Sequence, residues 1–224
     1  NHYYLGRILL AQNKYDEAAG HLARACELQS GKEEYFFWLG VAYGGLKDLK
    51  SERVNYKKAI ELKPDYYQAH TYIGHNYFRS KEYMSALKAY ESALIIRDHN
   101  PSALYNKALI HRKLGQTSRA KSSLKQYIEM FGSSPKVISA AVYLNQMGEF
   151  TYRVYLMGHR KIMARQIVFD KEKGELDDLS LESLRKMGGI IKNNAKLTLH
   201  ILVYQKGNKN LARERALRIR AYLQ

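Results

Sequence analysis

Trp38-Leu39-Gly40 stands 34 residues after Tyr4-Leu5-Gly6 and 34 residues before Tyr72-Ile73-Gly74, and the next step of that length falls on Asn106-Lys107-Ala108. Outward from the small residue ending each triplet, other positions keep the same period. Three residues on lie Leu9, Tyr43, Tyr77 and an outlier, His111. Twelve on lie Ala18, Glu52, Ala86 and Ala120; sixteen on lie Leu22, Tyr56, Tyr90 and Leu124. Nineteen on, Ala25, Ala59 and Ala93 hold the phase and Tyr127 breaks it. Small residues at fixed offsets let two antiparallel helices approach closely, and the large ones fill the space between neighbouring pairs. One such pair leaves its apolar face uncovered, so the pattern predicts pairs stacked on one another.

This frame resembles the tetratricopeptide repeat, whose signature runs W-x2-L-G-x2-Y followed by Ala, Phe and Pro. The resemblance covers residues 1–132 and implies four helix pairs in an all-α superhelix. The loops agree: Pro64-Asp65 closes the second repeat and Asp98-His99-Asn100-Pro101 the third, with proline suited to a new helix start. Glu52, where the other repeats carry alanine, predicts a looser contact inside the second pair. His111 and Tyr127 mark the fourth repeat as atypical.

With 224 residues, 46% of them apolar, the chain can bury one or two ordinary cores. No apolar run approaches the roughly 18 residues of a membrane span. The first residue, Asn1, already falls within a helix of the first repeat, so a trimmed or processed chain is expected. Cys26 is the single cysteine, which excludes an internal disulfide. The net charge of +16 divides into +7 for residues 1–149 and +9 for residues 150–224. That balance favours acidic partners, whether peptide, nucleic acid or anionic lipid.

After Phe131-Gly132 the period ends. Ser133-Ser134-Pro135 reads as a helix start, Val137 to Met147 as a capping helix, and Gly148 as its stop, so residues 133–149 form a capping and linking segment. Over residues 150–224 the pattern turns to alternation. Phe150 to Leu156 and Ile162 to Phe169 read as strands around a Gly158-His159 turn. A helix follows from Asp177, with Leu181, Leu184, Met187 and Ile191 at helical spacing. Leu197 to Tyr204 reads as a strand, and Asn210 to Leu223 as a helix with Ala212, Ala216, Ile219 and Leu223 on one face. The order ββαβα is that of a small α+β domain, giving a multidomain chain.

Ile167-Val168-Phe169-Asp170, Gly174-Glu175-Leu176 and, further on, Asn208-x-x-Leu211-x-x-x-Arg215-Ala216 with Tyr222-Leu223 are similar to OmpA-like peptidoglycan-binding domains. That resemblance covers about 165–224. It implies that Arg215, at the helix entrance marked by Asn208, holds a carboxylate of the cell-wall stem peptide, a task suited to a guanidinium fork. Lys206 stands where the family has an aspartate that would grip the ligand's ammonium group, which implies weak peptidoglycan binding.

No catalytic motif, phosphate-binding loop or zinc-type cysteine pair is found, and no cofactor or metal is expected. His70 and His75 are five residues apart on one helix and point to different faces. Arg213, Arg215, Arg218 and Arg220 in the last helix suggest phosphate contacts, but the apolar stripe of the same helix and the lack of an aromatic stacking platform argue against nucleic acid. The better site lies in the repeats. Residues one and four to five after each small residue, and three before it, are expected to line the inner groove. Among them Tyr3, Arg7, Phe37, His75, Phe78, Arg79, Tyr105, Arg112 and Lys113 make it aromatic, basic and free of acidic groups. Such a surface suits a peptide with a few apolar anchors and acidic groups. The expectation is a non-enzymatic adaptor. The pairing of repeats with an OmpA-like domain implies a periplasmic or envelope-associated bacterial protein, meeting a membrane only through a lipid anchor outside this chain. The alternative is a cytoplasmic scaffold whose basic second domain docks an acidic protein or nucleic acid.

Overall fold

The computed structural model describes residues 1–157, 160–169, 175–193 and 209–223. The chain divides into two compact units, Asn1–Phe131 and Gly132–Gln224.

The first unit is all-α. Its eight helices are α1 (His2–Ala11), α2 (Tyr15–Leu28), α3 (Glu33–Gly45), α4 (Leu49–Leu62), α5 (Tyr67–Arg79), α6 (Tyr83–Ile96), α7 (Pro101–Lys113) and α8 (Thr117–Met130). They form four pairs, and the residue 34-periodicity has a direct steric meaning. A Cβ added at Gly6 would lie 2.5 Å from Leu22 Cγ, at Gly40 2.6 Å from Tyr56 Cε1, and at Gly74 2.7 Å from Tyr90 Cε1. The large side chain sixteen residues on therefore lies directly against the bare backbone of the glycine helix. Tyr56 and Tyr90 are fully buried there, and burial pushes both hydroxyls well above the usual phenol range, helped at Tyr56 by the Glu52 carboxylate.

The turns inside the pairs repeat just as faithfully. Asn13, Lys47, Lys81 and Gly115 all have φ near +60 to +70°. In each case the next residue's N–H reaches back to a carbonyl in the last turn of the first helix: Lys14 to Leu9, Asp48 to Tyr43, Glu82 to Tyr77 and Gln116 to His111, all at 2.9–3.0 Å. This is the Schellman stop, which needs a left-handed residue after the helix. Only the fourth turn has glycine there.

Glu52 does not loosen the second pair. It is 2% exposed, and Gly44 on α3 makes room for it: a Cβ at Gly44 would lie 3.0 Å from Glu52 Oε1. Gly45 faces the other way, onto the Tyr15 ring of the preceding pair. Successive pairs are also latched by polar bonds. Asn100 caps α7 by accepting from Ala103 N at 3.1 Å and donates to Thr71 Oγ1 at 2.7 Å, with both side chains buried.

In the second unit, α9 (Val137–Gln146) is closed by Gly148 at φ +73° and packs on an antiparallel pair, β1 (Tyr152–Met157) and β2 (Arg160–Arg165), registered from Tyr152↔Arg165 to Met157↔Arg160. Two helices follow, α10 (Asp178–Lys192) and α11 (Lys209–Leu223). The expected strand over 162–169 stops at Arg165: Gln166 N still donates to its register partner Thr151 O, but Val168 N turns to Ser180 Oγ on α10. Ser180 is buried on α10 to receive that N–H and Ser183 to accept from Arg165 N at 3.1 Å, and Asp177 caps that helix through Ser180 N at 2.7 Å. The described sheet therefore has two strands, with an isolated bridge between Phe169 and Leu176. The Gly158-His159 turn and the strand expected over 197–204 lie outside the described residues, so the ββαβα order is observed only as ββα and a final helix.

Three expectations follow. Gly40→Leu should destabilise the chain by about 1–3 kcal/mol or more, because α3 must move away from Tyr56. Gly20→Ala, with open space around the new methyl group, is the control in the same denaturation series. Lys47→Gly and Lys81→Gly should each stabilise by about 0.5–1 kcal/mol, since glycine adopts positive φ without the side-chain penalty. Cys26 is buried on α2, and burial, then Glu27, pushes its thiol up to about 11. At pH 8 only about one part in a thousand is thiolate. Alkylation should be slow in the native chain and at least a hundredfold faster once it is unfolded.

Candidate functional site

The first helices of successive pairs touch one another, so α1, α3, α5 and α7 make one continuous surface. Arg7 on α1 lies over the Trp38 ring on α3 at 4.4 Å, and Tyr3 stacks on Tyr35 at 4.6 Å. Phe37 on α3 meets Tyr72 on α5 edge-on at 5.1 Å. His75 on α5 bonds Ser102 on α7 at 3.1 Å.

Several expected groove residues are used for packing instead. Tyr3, Phe37 and Tyr105 are buried: Phe37 contacts Trp38, Tyr56, Tyr66 and Tyr72, and Tyr105 contacts Tyr127. Phe78 is partly buried against the core of the third and fourth pairs, edge-on to Tyr83. Side chains one step further along the helix face outward from the same surface. Tyr4 is 68% exposed and Tyr72 39%, while Trp38 and Asn106 are half-buried. These four share one repeat position, two before the small residue. Their 34-residue spacing was visible in the frame triplets, and it is the signal that finds them.

The basic residues are not equivalent. Arg7 is exposed; its Nη1 donates to Tyr3 Oη at 3.3 Å, and Tyr3 donates to Glu34 at 3.3 Å. Tyr66 lies close by, and burial followed by the charge of Glu34 raises its hydroxyl above the phenol range. Lys113 is exposed and Arg112 half-buried. Arg79 reaches down to pair with Glu52, which also accepts from Asn76 Nδ2 at 2.8 Å. Asn76 in turn accepts from Arg53 Nε at 2.8 Å, and Arg53 donates to Ser80 at 3.1 Å and Glu82 at 2.6 Å. The surface expected to lack acids thus contains Glu34 beside Tyr3 and the buried Glu52 beneath Arg79. Arg79 faces a carboxylate of its own chain.

His75 sits between Tyr90, whose hydroxyl is 2.6 Å from Nδ1, and Ser102, 3.1 Å from Nε2. The chain of atoms has the outline of a nucleophile, a base and an orienting group. Its third member is a buried phenol held in its neutral form, which lacks the negative charge that would stabilise an imidazolium. The arrangement ties the third pair to the fourth. Among the described residues no cluster of three or more histidine, cysteine, aspartate or glutamate side chains forms a metal-binding group, and no helix is long and apolar enough to cross a membrane.

In the second unit Arg215 is half-buried with its guanidinium 4.8 Å from the Phe169 ring centroid, while Asn208 and Lys206 lie outside the described residues. The exposed Arg213, Arg218 and Arg220 flank Ile219, which is buried.

Comparison with known proteins bears on the first unit. Residues 33–66 and 101–132 match the family model described as tetratricopeptide repeat. A tetratricopeptide repeat-containing protein of Caenorhabditis elegans, trd-1, is 28% identical over 129 residues; the match covers 58% of this chain and 17% of that relative's length. Among solved structures, MamA from Desulfovibrio magneticus RS-1 matches with a TM-score of 0.60 at 18% identity, over 66% of this chain and 81% of that one. YrrB, described as a TPR protein with an unusual peptide-binding site, gives 0.57 at 17% identity, over 65% and 73%. The first TPR domain of Spaghetti (RPAP3), solved with the HSP90 peptide SRMEEVD, gives 0.50 at 23% identity, over 51% and 90%. None of these matches bears on the OmpA-like expectation for residues 165–224. The chain contains tetratricopeptide repeats, and its first unit is folded as an array of four such helix pairs.

Proposed function

We propose that this chain is a non-enzymatic scaffold that binds a peptide segment of a partner protein along the surface of α1, α3, α5 and α7. The observation that carries this reading is the division of labour on those helices. Their buried aromatic residues fix one repeat against the next, while Tyr4, Arg7, Trp38, Tyr72 and Lys113 lie exposed or half-exposed on a surface that packing has already made rigid. A preformed surface loses little entropy on binding. The solved peptide complex of a protein with the same fold and the peptide-binding site described for YrrB support it. The exposed Arg7 and Lys113 on that surface favour an acidic segment. An envelope setting and a weak hold on peptidoglycan through Arg215 rest on the OmpA-like resemblance of residues 165–224 alone.

Peptides selected on the full chain from a random library supply the probe. Tyr72→Ala, and the pair Arg112→Glu with Lys113→Glu, should weaken the selected peptides at least tenfold. Arg24→Glu and Lys58→Glu, on second helices and engaged in local ion pairs, should leave them unchanged. The reverse pattern, or a library that yields no binders, would overturn the reading.

Arg79 needs separate treatment. Arg79→Glu places two carboxylates together, one of them buried, and should cost about 1–3 kcal/mol of stability. Adding Glu52→Gln should recover part of the loss in a denaturation experiment. A fully additive pair would separate Arg79 from Glu52.

A further inference from the structure

Resting on the groove reading above, we infer that the occupant is an acidic segment in the polyproline II conformation, with an acidic side chain at its centre and an apolar residue, proline included, three positions before and three after it. The order of groups along the surface carries this. Tyr4, Trp38 and Tyr72 stand at one repeat position on three successive first helices. The outer two rings are exposed, whereas the central ring is overlaid by the Arg7 guanidinium at 4.4 Å. A segment crossing the three helices therefore meets a ring, a stacked cation and a second ring.

Arg7 is prepared for a carboxylate. The Trp38 ring lies 4.4 Å beneath the guanidinium carbon, and the Tyr3 hydroxyl takes one donor at 3.3 Å. Glu34 binds the same hydroxyl rather than the guanidinium, and Arg7 has no ion pair among the described residues. A guanidinium fixed in this way presents its remaining donors to a carboxylate at small entropic cost.

The spacing selects the backbone conformation. Arg7 springs from α1, as Tyr4 does, but its guanidinium lies over Trp38 of α3, so ring, cation and second ring follow α1, α3 and α5 in turn. Packed helices lie about 8–10 Å apart. A polyproline II chain advances about 9.3 Å in three residues and returns its side chains to the same side every third residue. A β-strand alternates sides at every residue, so its positions i and i+3 face opposite ways. Polyproline II therefore places residues i, i+3 and i+6 on Tyr4, Arg7 and Tyr72 in turn, with either chain direction satisfying a motif that reads the same from both ends.

The test uses three N-acetylated, C-amidated peptides titrated into the full chain by calorimetry or fluorescence anisotropy: PAPEPAP, PAPQPAP with the charge removed, and PEPAPAP with the charge moved two residues. PAPEPAP should bind about five- to tenfold more tightly than either control, and its advantage should shrink as salt is raised. Arg7→Ala should bring PAPEPAP and PAPQPAP to the same affinity, while Tyr72→Ala should weaken both by a similar factor. Equal binding of the glutamate and glutamine peptides, a preference that survives in Arg7→Ala, tighter binding of the shifted peptide, or no binding of any of the three overturns the inference. The groove reading fails separately, when library-selected peptides are insensitive to Tyr72→Ala.

Discussion

The first unit depends on one contact, repeated: a bare glycine backbone on the first helix of a pair with a large side chain of the second lying against it. Gly6 with Leu22, Gly40 with Tyr56 and Gly74 with Tyr90 leave no room for even a methyl group. The contact fixes the distance between the two helices of a pair, and with it the height of each repeat. Where the large side chain is tyrosine, the contact also buries the phenol, so its hydroxyl must find its bonds nearby. Tyr90 finds His75, and Tyr56 lies beside Glu52. Once these are placed, the polar residues between repeats have defined neighbours, which is why Asn76, Asn100 and Thr71 tolerate burial.

Most of this was legible in the sequence because the period is a statement about packing. The four pairs, Pro101 at a helix start and Gly148 at a helix end follow from residue types that act locally. The groove was legible only in part, for a reason of one residue. On a helix each step turns the side chain by about 100°. Choosing the position three before the small residue selects Tyr3, Phe37, Thr71 and Tyr105, all buried, while the neighbouring position gives Tyr4, Trp38, Tyr72 and Asn106. Both positions are aromatic in most repeats, so composition does not separate them. Glu52 misled for a different reason. A charged residue in an alanine position reads as a fault until Gly44 on the facing helix is seen to make room for it. The two residues are eight apart in sequence and opposed only across the turn.

The buried Glu52 also shows how charge is used. An unpaired carboxylate at that depth would be strongly unfavourable. Here it accepts from Asn76 and Arg79, and the relay continues through Arg53 to Ser80 and Glu82 at the surface. These residues come from α4 and α5 and the start of the next turn, so the network spans the second and third pairs. An ion pair of this kind contributes little net stability but penalises any other register of the helices, since a shifted packing would strand the carboxylate. Apolar ridges alone are more tolerant of sliding.

The net charge of +16 is therefore a poor guide to the groove when taken alone. Lys14, Arg24 and Lys58 are offset by glutamates one turn away on the second helices, and Arg53 and Arg79 belong to the buried relay. Such local pairs are screened and contribute little to the field felt by a ligand. What distinguishes Arg7 is its support. It is held by a ring face and a hydroxyl, groups that orient a guanidinium without neutralising it. Where a cation is fixed by neutral neighbours on an exposed surface, its charge stays available to a partner, and the same aromatic residues that fix it supply the apolar contact on either side.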